Sequence, residues 1–259
     1  MRIAVLGAGI LGVTSAWYLR RDGHEVTVID RAGAVAGETS FANAGLVAVG
    51  SSGSWASPDA LRTLLLSLFK PHPAFGMKIE ADPHFWLWSL EFLRNCTARR
   101  YRRNSRRKLM LSRYSRDCIL ELEKELNLSY HRNTSGAFYL HRDPRTLDSH
   151  AASAERWSEM GVDMARLSPD QVAAQEPALS PSAKSKLAGA IHVPGDFSGD
   201  CRLFAEQLAE RAVAQGGVRL RLNETVTGLS VEAGRVSAIE TDQGSIPCDA
   251  AVVALGPET

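Results

Sequence analysis

The opening stretch MRIAVLGAGILGVTSAWYLRRDGHEVTVIDR, residues 1–31, decides the fold. Arg2 to Leu6 is a short apolar run rich in branched side chains, which suits a strand buried on both faces of a parallel sheet. After the glycines, Ala16 and Leu19 recur at helical spacing, and Gly23 is the expected C-cap stop. Glu25 to Ile29 reads as a second buried strand, with Asp30 at its carboxyl end. Strand, glycine turn, helix, strand and acid make the dinucleotide-binding unit.

Each part has a chemical reason. Gly7 permits the tight turn, Gly9 lets backbone approach a pyrophosphate, and Gly12 lets helix and strand pack together. A pyrophosphate then rests on the positive helix N-terminus and its free N–H groups. Asp30 stands eighteen residues after Gly12, in register to accept hydrogen bonds from an adenosine ribose. A GxGxxG string alone is weak evidence; here the flanking elements and the acid supply the context.

The 259 residues suffice for one large or two ordinary domains. A formal charge of +1 gives no general case for nucleic acid or an acidic partner. The local exception is Arg99 to Lys108, rich in arginine, whose ordinary reading is a solvated helix face and whose alternative is contact with anionic lipid or another acidic surface. Cys96, Cys118, Cys201 and Cys248 form no CxxC pair, which argues against zinc, and are too few for a disulfide scaffold. A reducing compartment is the default. The glycines break any secretory h-region and no run reaches the length of a membrane span, so a soluble or peripheral protein is expected.

Arg31 to Gly50 is a long loop of small and hydroxyl-bearing residues that permits close backbone approach to a ligand. Leu61 to Phe69 reads as a helix stopped before Pro71 and Pro73. His84 to Tyr101 is a helix with a dense aromatic face (Phe85, Trp86, Trp88, Phe92), expected in core or at a domain interface, or against a membrane surface. Helices follow at Arg107–Asn127, Arg145–Met160 and, with Ser168 as N-cap and Pro169 at N1, just beyond. Strands fall at Gly136–His141 and Leu187–Val193, and a helix at Arg202–Ala214. Val218 to Leu222 is a strand; from Asn223 the period becomes two, with turns at Glu232–Gly234 and Asp242–Gly244, a small antiparallel meander. Asp249 to Leu255 closes as a buried strand before Gly256 and Pro257.

Together these stretches carry a likeness. Gly7–Gly12 with Ser15–Leu19, Gly23–Arg31, Glu38-Thr39-Ser40 with Ala42–Gly45, Leu93–Cys96, Tyr114–Cys118, Glu176–Leu179 and Gly199–Phe204 resemble the flavin-dependent amine and amino-acid oxidoreductases of the D-amino-acid oxidase type, in particular the bacterial D-amino-acid dehydrogenase, small-subunit type. The Glu-Thr-Ser…Asn-Ala-Gly segment is far more specific than the glycine motif.

The resemblance implies an α/β fold: a Rossmann-like FAD/NAD(P)-binding domain, parallel sheet plus antiparallel meander, with an inserted α+β substrate or cap region. The FAD-binding domain would comprise 1–50 and 198–259, and the insertion 51–197. FAD would be held without a covalent bond. Gly7, Ala8, Gly9, Ile10, Leu11 and Gly12 would cradle its pyrophosphate, and Asp30 its adenosine ribose, with Arg31 nearby. Thr39 and Ser40 would contact the pyrophosphate and ribityl region, with Glu38 beside them among the cofactor-binding residues. Asn43, Ala44, Gly45 and Leu46 would lie along the isoalloxazine, Val226 would meet adenine through its backbone, and Ala254 to Gly256 would close over the cofactor.

The implied reaction is oxidative deamination of a D-amino acid to a 2-oxo acid and ammonia, with electrons passed to a quinone or an electron-transfer chain. No general base is assigned, and His24, His84 and His192 read as surface or packing residues. Family members continue past residue 259, where the groups that clamp the substrate carboxylate are expected. Two alternatives follow: a truncated, catalytically incomplete flavin-binding fragment, or an enzyme of related chemistry acting on D-hydroxyproline or glycine. The expected location is the cytoplasm, with peripheral membrane contact through the Trp-rich helix and the arginine run.

Overall fold

The structure is a computed structural model that describes residues 1–60 and 81–258, apart from the side chains of Arg156 and Glu258. The helix expected over Leu61–Phe69 lies outside them. The chain divides into two compact units, one of 1–47, 119–133 and 197–259, the other of 48–118 and 134–196. Segment 119–133, which falls in the expected insertion, clusters with the first unit.

The first unit is built on β1 (Arg2–Leu6), α1 (Ile10–Arg21) and β2 (Glu25–Asp30). Its four-stranded parallel sheet has the order β12-β1-β2-β8, with β8 at Val218–Leu222 and β12 at Ala250–Val253. β1 and β2 are buried because helices cover one face and the meander the other. Val5, Val28 and Val26 meet Trp17 and Ala16 of α1, together with Leu208 and Ala205 of the helix Cys201–Ala214. Ala4, Leu6 and Ile29, on the opposite face, meet Ile239 and Ile246 of the meander. Each large side chain so buried contributes roughly 1.5–3 kcal/mol. The meander is β9 (Val226–Glu232), β10 (Arg235–Thr241) and β11 (Gly244–Pro247), antiparallel as its alternation requires.

The second unit holds a three-stranded antiparallel sheet in which Gly189–Val193 runs between Ala137–His141 and Ala165–Leu167. Helix Pro144–Glu159 packs on it through Leu147 and Ala154 against Ile191. Ser168 caps Pro169–Gln175 as expected, and Gln171 completes a capping box with it.

Two helical expectations change. The run His84–Tyr101 is not one helix: helix A, Pro83–Asn95, ends at Cys96, and helix B, Ala98–Leu126, begins again, its Tyr101 amide donating to the Thr97 carbonyl. Helix B therefore carries the whole arginine run and the segment expected to start at Arg107. The aromatic face of helix A is not core either, for none of its residues is buried. Among the described residues no helix is long and apolar enough to cross a membrane. The short strands Leu46–Val47 and Phe197–Ser198, paired with one another, have too little sequence to show a period.

Candidate functional site

The carboxyl edge of the parallel sheet gathers most of the expected site residues in the first unit. Gly7 leaves β1 at φ +106, a conformation that glycine alone adopts without strain. A Cβ there would lie 2.4 Å from the carbonyl oxygen of Ala254, whose own amide donates to Leu6 O at 2.8 Å. Gly7 and the segment after β12 thus touch backbone to backbone. A Cβ on Gly12 would fall 1.8 Å from the Gly7 carbonyl oxygen, so α1 sits against the turn that feeds it.

Helix α1 starts at Gly9 with no side-chain cap of its own and no acid in its first turn. The amide of Ile10 donates instead to Ser40 Oγ at 3.1 Å, from the loop after β2. Among the described residues beyond its chain neighbours, only that hydroxyl lies within 4 Å of a Cβ placed on Gly9. Leu11 is exposed beside it. The site is therefore an uncapped helix N-terminus, approachable by backbone, with a hydroxyl standing where an anionic oxygen would be bound.

Asp30 ends β2 with both carboxylate oxygens in use. Oδ2 accepts from the Ala8 amide at 2.6 Å and Oδ1 from the Ala32 amide at 2.8 Å. Each oxygen keeps lone-pair capacity for a further donor such as a ribose hydroxyl. The carboxylate also ties β2 to the glycine turn, a structural role beyond the one expected for it. Arg31 grips Glu38 through Nε at 3.1 Å and Nη2 at 2.9 Å, on the exposed side of the same loop.

The 43–46 segment is organised separately. The Gly45 amide donates to Asn43 Oδ1 at 2.7 Å, Gly45 has φ +58, and its Cβ position lies 2.3 Å from the Gly199 carbonyl oxygen. Leu46 pairs with Ser198 and is exposed, as are Asn43, Ala44 and Thr39. Among the described residues no hydrogen bond joins 43–46 to the glycine turn. Val226 opens β9 two residues after Glu224, whose amide donates to the Asp30 carbonyl at 3.0 Å. Gly256, at φ +65, has open space around it.

Two features went unread in the sequence. Glu224 is 1% exposed, its carboxylate accepting from Arg221 Nε at 2.5 Å and Thr241 Oγ1 at 2.6 Å. With Asn223 at φ +56 donating its amide to Ala32 O, it fixes the turn that carries β9 past Asp30. The Asn-Glu pair directly after a strand is the signal, since Asn tolerates positive φ. In the second unit Asp196 is buried; it accepts from the Gly50 amide at 3.0 Å and the Tyr139 hydroxyl at 3.3 Å. Burial pushes its carboxyl above the ordinary range, against the opposing pull of the amides, Tyr139 and Arg116. No local pattern could have joined residues so far apart in sequence.

The residues present fit FAD at its adenosine pyrophosphate end: an acid-free helix terminus, an approachable glycine turn and an acid-ended second strand. Among the described residues no group of His, Cys, Asp and Glu could hold a metal ion.

The comparisons agree. The family model of FAD dependent oxidoreductases (DAO) matches residues 2–259. The chain is 40% identical over 259 residues to D-amino acid dehydrogenase 2 of Mesorhizobium japonicum, covering 100% of this chain and 62% of that protein. It is 41% identical over 256 residues to D-amino acid dehydrogenase of Agrobacterium fabrum, covering 99% and 61%. The chain thus spans about three fifths of the length of these curated relatives. Glycine oxidase of Bacillus cereus shares the fold, with a TM-score of 0.65 at 19% identity over 98% of this chain and 54% of that one. Because the family match runs through both units, from residue 2 to residue 259, the chain belongs to the DAO family of FAD-dependent oxidoreductases.

Proposed function

We propose that this protein oxidatively deaminates D-amino acids, giving a 2-oxo acid and ammonia. The observation that carries the reading is the open, acid-free start of α1 beside Asp30, in a chain 40% identical along its whole length to a D-amino acid dehydrogenase. FAD, when bound, supplies the acceptor for the electron pair of the substrate's Cα–H bond, the amine nitrogen losing its proton to water. Water then adds to the imino acid and ammonia leaves.

The chain's own residues act on position and charge. Gly7, Gly9 and Gly12 keep side chains out of the pyrophosphate path, while the start of α1, whose Ile10 amide is held by Ser40 Oγ, turns its positive end towards it. Asp30 takes the ribose, with Arg31 and Glu38 as the outer wall. Ser40 and Thr39 meet the pyrophosphate and ribityl chain. Asn43 to Leu46, held by the Gly45–Gly199 contact, lie along the isoalloxazine; Val226, Ala254 and Gly256 border the adenine and the flavin. No general base is needed for a neutral amine.

A second reading has an observation of its own, the 61–62% coverage of the relatives: a flavin-binding chain without turnover. The visible spectrum of the purified protein, before and after anaerobic D-alanine, separates the two. A flavin spectrum that bleaches supports the enzyme. Bound flavin that stays oxidised with D-alanine, D-proline, D-hydroxyproline and glycine leaves the second reading, and absence of flavin overturns both.

The reading extends to an electron acceptor, a quinone or electron-transfer chain, and to a cytoplasmic location with peripheral contact at the inner face of the membrane. The basic run and the exposed aromatic helix support that contact. Recovery wholly in the soluble fraction at low salt would count against it.

A further inference from the structure

Behind the 43–46 segment stands a support drawn from a distant part of the chain. Gly199 turns its backbone to Gly45, its amide donating to the Gly45 carbonyl at 2.8 Å. The direction in which a side chain would leave Gly199 is filled by Tyr130, for a Cβ there would fall 2.5 Å from Cδ2 and 2.6 Å from Cε2 of the ring. No side chain fits that space, so Gly199 is a spacer between the 43–46 segment and an aromatic ring. Asn133 and Ser198 exchange two backbone hydrogen bonds, at 2.8 and 3.1 Å, and Ser198 pairs in turn with Leu46. The strand Phe197–Ser198 thus carries Leu46–Val47 on one edge and Asn133 on the other.

Tyr130 is itself fixed at ring, backbone and hydroxyl. The residue is 4% exposed, and its ring stands edge-on to Phe204 with centroids 5.1 Å apart. Its carbonyl accepts from the amide of Asp200, the residue after Gly199, at 2.7 Å. Its hydroxyl donates to Glu123 Oε2 at 2.7 Å, and Arg132 Nε holds the same oxygen at 2.9 Å. Burial first, and the Glu123 carboxylate second, push the phenol well above its ordinary range, so it stays a donor. Next to it, the Ser129 amide donates to Gln207 Oε1 at 3.0 Å and Gln207 Nε2 returns a bond to Ser129 O at 2.6 Å. A continuous line of contacts therefore runs Arg132, Glu123, Tyr130, Gly199, Gly45, all within the first unit.

A loop of small residues has little side-chain packing of its own, so its place is set by whatever backs it. We infer that Tyr130 is a positioning residue for the isoalloxazine: acting through Gly199, its ring sets where the 43–46 segment lies, and Glu123 with Arg132 holds that ring in place. The inference rests on the placing of 43–46 along the isoalloxazine proposed above, and adds a support from 119–133 that no cofactor motif marks. A side chain that only filled the core would act on the whole first unit alike. Tyr130 instead acts on the isoalloxazine end of FAD and leaves the adenosine end, served by Gly7 to Gly12 and Asp30, as it was.

Titration of the whole protein with FAD and, separately, with ADP tests it. Tyr130→Leu keeps an apolar side chain but leaves room behind Gly199. It should raise the Kd of FAD about tenfold and shift the visible flavin band, while the Kd of ADP stays within about twofold. Tyr130→Phe keeps the ring and should restore both the band and the FAD affinity of the wild type. Should Tyr130→Leu fail to fold, Glu123→Ala, which frees the ring at its hydroxyl, should show the same split at about threefold. Equal weakening of FAD and ADP would make Tyr130 an ordinary core residue, and an unchanged FAD Kd and band would remove it from the flavin; either result overturns the inference while the flavin reading stands. If the wild type binds ADP and FAD with equal affinity and an unperturbed flavin band, the placing of 43–46 fails and the inference falls with it.

Discussion

Asp30 shows how one side chain serves fold and site together. Its carboxylate joins the end of β2 to the glycine turn through two backbone amides, and the proposed function gives the same group the ribose. Asp30→Ala leaves two donors without their acceptor, at roughly 1–3 kcal/mol each where burial excludes water. The expected outcome is a lower melting temperature with weaker flavin retention, read by thermal unfolding and by flavin released on dilution. His150 gives a pH dependence. Thr146 donates its hydroxyl proton to Asp143 O, so His141 Nδ1 must donate to Thr146, and His141 Nε2 must accept from His150 Nδ1 at 2.9 Å. Burial first, and the His141 charge second, hold His150 below its ordinary 6.5. The folded state therefore binds fewer protons than the unfolded one just below pH 6.5, and stability is lost as pH falls through that window. His150→Gln should flatten the fall in melting temperature from pH 7 towards pH 5 that the wild type shows. An equally steep fall in both would show that other groups carry it.

At the scale of elements, Gly45 and Gly199 hold the short strand pair Leu46–Val47 and Phe197–Ser198 together by close backbone approach. Gly45→Ala combines a left-handed φ with a clash against the Gly199 carbonyl, so about 1–3 kcal/mol of destabilisation is expected, with flavin absorbance shifted as the 43–46 loop moves. Unchanged absorbance would remove that loop from the flavin. The elements that were legible in sequence are those with a long period or a capping residue: the first βαβ unit, the meander, and the helix capped by Ser168. The rest was hidden for physical reasons. Two-residue strands have no period, and the break at Cys96–Thr97 falls between two runs that are each helical. The aromatic face of helix A obeyed the core pattern and yet faces solvent, because periodicity records amphipathicity and not which partner covers it. Among the candidate site residues, the glycines and Asp30 come from spacing along one chain segment, whereas Ser40 comes only from the family resemblance. Asp196 was not readable, since its partners Gly50 and Tyr139 are distant in sequence, and Glu224 was marked only by the Asn-Glu pair directly after β8.

On the scale of the molecule, the elements proposed to hold the adenosine pyrophosphate all belong to the first unit, whose sheet ties residues 2–6, 25–30, 218–222 and 250–253 into one layer. A ligand that binds only the folded state raises stability, by about 2.7 kcal/mol at a hundredfold excess over its Kd. ADP should therefore raise the melting temperature on its own, FAD should raise it more, and FMN should have little effect. Equal protection by FMN would place the adenine end elsewhere.

The central strand β1 lies between β2, its near neighbour in sequence, and β12, with the Arg2 amide meeting Asp249 across a separation of 247 residues. On the ribosome the first βαβ segment emerges within seconds, yet one flank of its buried strand stays unpaired until residues 250–253 have been made. During that interval residues 2–6 present an apolar strand edge to whatever else is nearby, and a trigger-type chaperone would find its clearest early client there. Yield in cells should then depend on translation speed and holdase supply more than on the melting temperature of the finished protein.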